Sequence, residues 1–175
     1  TSMCNINLIY FLAAILMGIF VCDDFRSGYC KNLFAVRSKK TGYVLSKTVT
    51  GFLSGGLMLL GFFAGAMVGG AISGLPFDLT GFNIGNIIFC MLSKVLLMVV
   101  FAGIYVLMGV IGKQRLWLAI LLSLGVGMFF FNIIPIVTPL SAGILNVVLC
   151  LAGGISLGGG FGCISKVVLD KRDIL

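Results

Sequence analysis

The sequence predicts an all-α integral membrane protein, a polytopic helical bundle with five spans, and three observations carry that prediction. Apolar residues fill 60% of the 175 positions before the 25 glycines are added. A soluble domain holds about 45–50% with glycine included. Charged residues are 10% of the chain, with no Glu and no His among them. The charges also fall in clusters, and the apolar runs between them approach the roughly 20 residues that a helix needs to cross a hydrocarbon layer of ~30 Å. This composition excludes a soluble globular fold, a disordered chain and any chemistry that depends on histidine.

The charge clusters divide the chain into one transmembrane domain, 1–175, without a separate soluble part. The predicted spans are 5–22, 48–75, 95–112, 116–134 and 143–165. The first is an 18-residue run without a charge. The second is a 28-residue run, about 42 Å as a helix, which must tilt, kink or protrude. Pro76 and Asp78 end it. In the segment 79–93, Ile84, Ile87, Ile88, Met91 and Leu92 recur at helical spacing opposite Asn83, Asn86, Cys90 and Ser93. An amphipathic helix lying at the outer interface is expected there, with Lys94 at the boundary. A continuous helix with its polar stripe along a transport path is the alternative. The turn Lys113-Gln114-Arg115 separates the third and fourth spans, and Pro135 and Pro139 bracket the loop before the last.

Five spans in a row alternate sides. The stretch 23–47 carries six Lys/Arg, the Lys113 turn two and the tail three, so 11 of 12 basic residues share one side. That side is cytoplasmic by the positive-inside rule, as is the C-terminus. Residue 1 then lies outside, and an upstream span is expected to be missing from this chain.

The connecting stretch 23–47 is the candidate functional segment. Phe25, Tyr29, Leu33 and Val36 recur at four, four and three residues and form one apolar helix face. Asp23 and Asp24 stand at the N-terminal end of that predicted helix, where the macrodipole favours acids. Such a helix can lie on lipid headgroups, dock in a partner's groove, or simply set topology.

Glycines four apart mark helix packing, because small residues let backbones approach where lipid gives no hydrophobic drive. Gly51 and Gly55, then Gly61, Gly65 and Gly69, do so in the second span, and Gly154, Gly158 and Gly162 in the last. Both spans are expected inside the bundle or against a second copy. The six cysteines (Cys4, Cys22, Cys30, Cys90, Cys150, Cys163) lack CxxC spacing and read as buried free thiols. Trp117, Tyr10 and Tyr43 stand near span ends and read as interface anchors.

The order of a span, an acidic pair, Gly28, Lys31-Asn32-Leu33, Arg37 and Lys47 just before the next span resembles the permease subunits of type-2 ABC exporters. The resemblance follows the span order over nearly the whole chain. It departs from the family in lacking the first span and its preceding cytoplasmic helix, and in Tyr29 standing where a small hydroxyl residue is usual. It implies that Asp24, Gly28, Lys31, Asn32, Leu33 and Arg37 form a coupling helix against a separate ATP-binding subunit. It also implies a second permease copy or homologue, residence in the cytoplasmic membrane, and a hydrophobic or amphipathic cargo. No cofactor belongs to this chain on that reading: ATP and Mg are the partner's. The missing G-x-x-x-x-G-K-[ST] agrees, because without it the chain has no phosphate-cradling loop of that kind. Gly158-Gly159-Gly160-Phe161-Gly162 lies inside an apolar run without the following Lys and Ser/Thr. The rivals are an ATP-independent secondary transporter or channel, with Lys94 as its only ionisable candidate, and a non-transporting membrane scaffold. Neither nucleic-acid binding nor catalysis by this chain is expected.

Overall fold

A computed structural model of the chain describes residues 7–36, 40–74, 84–139 and 141–171. Among these the only regular structure is helical. The elements are α1 (Leu8–Arg26), α2 (Tyr29–Val36), α3 (Lys40–Ile72), α4 (Ile84–Gly112), α5 (Leu116–Phe131), α6 (Ile134–Val137) and α7 (Ile144–Lys171). Four of them, α1, α3, α4 and α7, are long and apolar enough to cross a membrane. The expected fourth span, 116–134, is shorter than predicted. α5 holds 16 residues, about 24 Å of helix, before a turn at Asn132 and Ile133 leads into α6. Pro135 sits in the first turn of α6, where its missing N–H leaves no helical hydrogen bond unmade.

α4 is the axis of the bundle. It packs on α1, α3, α5 and α7, most extensively on α7, and 67% of its apolar window is buried. Its inner positions include Met98, Phe101, Ile104, Tyr105, Val106 and Val110. The glycine-rich helices are peripheral instead, with 22% of the corresponding window of α3 buried and 17% of that of α7. Of the two expected placements, inside the bundle or against a second copy, the first therefore holds for one face only. A small residue lets one face approach closely but gives the opposite face nothing to bury. Leu53, Leu57, Phe62 and Val68 of α3 and Leu145, Ile155 and Leu157 of α7 point outward. A continuous apolar exterior of this kind suits lipid and not water.

The packing glycines divide accordingly. A Cβ on Gly51 would stand 2.8 Å from Met17 Cε, and one on Gly55 2.7 Å from Met98 Sδ. On α7, a Cβ at Gly154 would meet Leu96 O at 3.5 Å, at Gly158 Val99 Cγ1 at 3.0 Å, and at Gly162 Val44 Cγ1 at 3.9 Å. Gly61, Gly65 and Gly69 have no described atom within 4 Å of such a Cβ. Three close approaches lie on α4, outside the four-residue spacing: Gly103 to the backbone of Gly158, Gly109 to Val21 and Gly112 to Ala119.

The segment expected to lie apart at the interface is, from residue 84 onward, the start of α4. Residues 79–83 lie outside the described residues. The helix runs on because Asn86 to Ser93 contains neither proline nor glycine, and Cys90 and Ser93 of its polar stripe face the chain's own interior. Cys90 contacts Thr138 O at 3.7 Å, and the Lys94 ammonium donates to Asn7 Oδ1 at 3.2 Å. Tyr10 donates to Lys94 O at 2.8 Å, and Tyr105 in turn to Tyr10 O at 2.9 Å. Lys94 is thus buried by protein instead of resting at a lipid boundary. Tyr10 is buried with it and is not an interface anchor.

The opposite end of the bundle gathers the charges. The Lys40 ammonium caps α7 through Leu169 O at 2.8 Å and pairs with Asp170 at 3.6 Å. Lys113 ends α4 in the left-handed region, at φ 51°, which costs a non-glycine residue about 1 kcal/mol.

Packing at the α4–α5 corner yields a direct test. Gly112→Ala should lower the melting midpoint in detergent, because its Cβ would lie 2.7 Å from Ala119 Cβ and 3.0 Å from the Ala119 backbone. Gly65→Ala should be neutral or raise the midpoint, since open space leaves only the helix-propensity gain of about 1 kcal/mol. Equal effects from the two variants would contradict this packing.

Candidate functional site

The site is the corner where α1, α2 and α3 meet at the charged end. α1 does not stop at the acidic pair. It continues to Arg26 and breaks at Ser27 and Gly28, with the Ser27 N–H closing onto Asp23 O at 2.9 Å. Gly28 takes φ 76°, a conformation that favours glycine, and the Asn32 N–H returns to Gly28 O at 3.2 Å. Asp23 and Asp24 therefore occupy the last turns of α1 and not the start of a following helix. There the helix dipole disfavours a carboxylate, so Asp24 needs a cation.

Lys47, two turns into α3, supplies it. Its ammonium lies 2.6 Å from Asp24 Oδ2, with the two side chains 10% and 16% exposed. The Tyr43 hydroxyl donates to the same oxygen at 3.0 Å. The ammonium also stands 3.3 Å from the centroid of the Phe20 ring, a cation–π contact worth of order 2 kcal/mol when desolvated. Phe25 and Phe34 meet the Tyr43 ring edge-on at 6.3 and 5.5 Å. One tyrosine thus holds α1, α2 and α3 together, and its burial sets aside its reading as an interface anchor.

α2 is an eight-residue amphipathic helix, but its inward face is rotated from the expected one. Cys30 is buried and Leu33 and Phe34 half-buried, whereas Tyr29 and Val36 are exposed and Phe25 belongs to α1. Tyr29, Leu33 and Val36 instead wall an open groove of about 790 Å³ with Asp24 and Lys47 at its edge. Lys31 and Asn32 point outward and are exposed. Of the predicted segment, Asp24 is turned into the bundle, Gly28 makes the bend, Lys31 and Asn32 face away and Leu33 lines the groove. Arg37 lies outside the described residues.

Cys30 sits beneath this corner. Burial pushes its thiol up from an ordinary value of 9.0 to about 11; the Tyr43 hydrogen bond and the Lys47 charge oppose that rise, and the Asp24 charge adds to it. Cys22, Cys90 and Cys150 are also buried and outside any disulfide, as expected, but Cys163 is exposed, and Cys4 lies outside the described residues. Among the described residues no three His, Cys, Asp or Glu side chains converge as a metal would require. The corner holds a carboxylate already neutralised by an ammonium, a neutral phenol and a neutral thiol. That set is suited to fastening helices and not to activating a nucleophile. Tyr43 and Phe20 were not legible as site residues, since their roles depend on which helix faces meet. Lys47 was legible only as the last basic residue of the stretch 23–47, just before the second span.

Comparison with protein-family models, with curated proteins and with solved structures returned no match to this chain. The class defined by its own geometry is a helical bundle with four helices fit to cross a membrane and a fastened, amphipathic corner at its basic end.

Two measurements test the corner. Asp24→Asn and Lys47→Met should each lower stability by about 3 kcal/mol, because each leaves a desolvated charge without its partner. The double variant should lose less than the sum, read as a melting cycle in detergent; strict additivity would mean the pair is uncoupled. With Cys30 kept as the only cysteine, the chain unfolded in SDS should alkylate readily with maleimide at pH 8, whereas in the folded protein the buried, upshifted Cys30 thiol should stay unmodified. Equal rates at pH 8 would contradict its burial.

Proposed function

We propose that the chain is a multi-pass membrane subunit of an ATP-driven ABC exporter, inserted in the cytoplasmic membrane with its basic end in the cytoplasm. It takes its ATP hydrolysis from a separate subunit. The observation that carries this reading is α2. A short amphipathic helix is held between two long apolar helices at the end where Arg26, Lys31, Lys40, Lys113, Arg115, Lys166 and Lys171 gather. Its Lys31 and Asn32 are exposed, while Phe34 seats it against Tyr43 of α3, and Asp24 with Lys47 and Tyr43 fastens α1 to α3. A partner that pushes on the exposed face would move both helices together, since Phe34 ties α2 to Tyr43 of α3 and the ion pair ties α3 to α1. A rigid-body shift is the ordinary way in which such a movement reaches a distant face of a bundle. A second copy or homologue would complete the path, and the apolar exterior supports a hydrophobic or amphipathic cargo such as a peptide or drug-like molecule.

A second reading, an ATP-independent secondary transporter or channel, draws on Lys94. Ionisable groups inside a bundle commonly serve ion pathways, and this one is buried beside Asn7 and Tyr10. On that reading transport persists without ATP and is lost in Lys94→Ala.

Pull-down of the membrane-extracted protein, with ATPase activity assayed in the eluate, separates the two. An ATPase should co-purify with the wild type, and its activity should fall to background when Lys31, Asn32 and Leu33 are changed to Ala. An ATPase-free preparation that still moves solute would overturn the exporter reading and favour the second.

A further inference from the structure

Around the α1–α2 bend from the ion-paired groove lie two adjoining cavities of about 460 and 470 Å³, which share Gln114, Arg115 and Leu118. Lys31 and Lys113 line the first and Arg26 the second, with Arg115 common to both. No acidic residue lines either cavity, and none of these four cations has an ion-pair partner among the described residues. Lys40 and Lys47, at the same end, are both paired with aspartates. The four therefore form a concave cationic site that no described acid lines. Phe25, Ile111 and Leu118 give it an apolar floor, and Trp117 stands at its rim, 81% exposed. From this rim the outer face of α5 continues apolar and exposed through Leu121 and Met128.

We propose that this site holds the phosphate headgroup of an anionic phospholipid, with its acyl chains lying along the outer face of α5. Each part of the site matches one part of that molecule. The cations meet a phosphodiester, whose charge they outnumber; the indole lies at headgroup level, as exposed tryptophans do at membrane interfaces; and the apolar face of α5 receives the chains. A free phosphate would satisfy the cations but would leave the tryptophan and the apolar face unused. The inference rests on the chain spanning a bilayer and not on its having an ATPase partner. The lipid would fasten the α1–α2 corner to the α4–α5 turn, which no described ion pair joins.

Trp117 is the only tryptophan in the chain, so its fluorescence reports on this site alone. The full chain would be reconstituted in phosphatidylcholine vesicles in which either phosphatidylglycerol or phosphatidylcholine carries brominated chains. Brominated phosphatidylglycerol should quench Trp117 at lower mole fraction than brominated phosphatidylcholine. The variant K113Q/R115Q should lose that preference by about fivefold for each cation removed, the effect of about 1 kcal/mol per Lys or Arg near an anionic surface. K166Q/K171Q removes equal charge from the same end and should keep the preference. Should the turn variant not fold, R26Q/K31Q on the other wall should lose it likewise. Equal quenching by the two lipids in the wild type would overturn the proposal, as would equal losses in K166Q/K171Q. Relief of quenching by millimolar glycerol phosphate would overturn the lipid assignment in favour of a free phosphate. Absence of quenching by either lipid would overturn the bilayer reading itself, together with this one.

Discussion

A carboxylate at the C-terminal end of a helix, largely removed from water, is an unfavourable arrangement, and the corner of this protein is built around correcting it. Asp24 has both the helix dipole and desolvation against it. The Lys47 ammonium at 2.6 Å and the Tyr43 hydroxyl at 3.0 Å offset both. Because the two correcting groups stand one turn apart on α3, satisfying Asp24 also sets the register of α3 against α1. Tyr43 then serves as the platform for Phe25 and Phe34, and through Phe34 α2 acquires its position. Three helices thus depend on one buried charge.

The bundle above this corner follows a different logic. α4 is enclosed on four sides, with aromatic and branched side chains filling its contacts, while α3 and α7 give one face to it and one to the surroundings. Among the described residues the charged groups gather at two levels. One is the charged end; the other is the far end, where Lys94, Asn7, Tyr10 and Tyr105 form a chain of hydrogen bonds. From Lys94 to Gly112 is about 27 Å of helix, close to the thickness of a hydrocarbon core. Lys94 thus keeps the depth that its place in the sequence implies, but it is screened by neighbouring helices and not by headgroup water.

Much of this was legible in the sequence because composition and charge spacing answer directly to the solvent. The helical class, the long apolar helices and the gathering of Lys and Arg at one end all follow from where charges are absent. What was not legible depended on facing. A positive φ at Gly28 moved Asp23 and Asp24 from the head of one helix to the tail of another, which no periodicity count can foresee. The apolar stripe through Tyr29, Leu33 and Val36 does mark one side of α2, but the buried side proved to be that of Cys30 and Phe34, whose partners come from α1 and α3. Glycine spacing located the contacts at Gly51, Gly55 and Gly158 and said nothing of Gly103, Gly109 or Gly112, where the partner helix decides the approach. The segment before Lys94 was polar on one side because that side meets the bundle's own loop at Thr138, a long-range contact invisible locally.

The central claim is that α2 and the adjoining ends of α1 and α3 move as one body. Paired spin labels measure it most directly, with one at Asn32 on α2 and the other either at Ser46 on α3 or at Gln114 in the α4–α5 turn. All three positions are exposed. Distances would be compared in the complex reconstituted with the proposed ATPase subunit, before and after ATP binding. The account predicts an unchanged distance from 32 to 46 together with a changed distance from 32 to 114. A shift between 32 and 46, with 32 to 114 held constant, would mean that α2 swings free of the Asp24–Lys47 pair, and would contradict it.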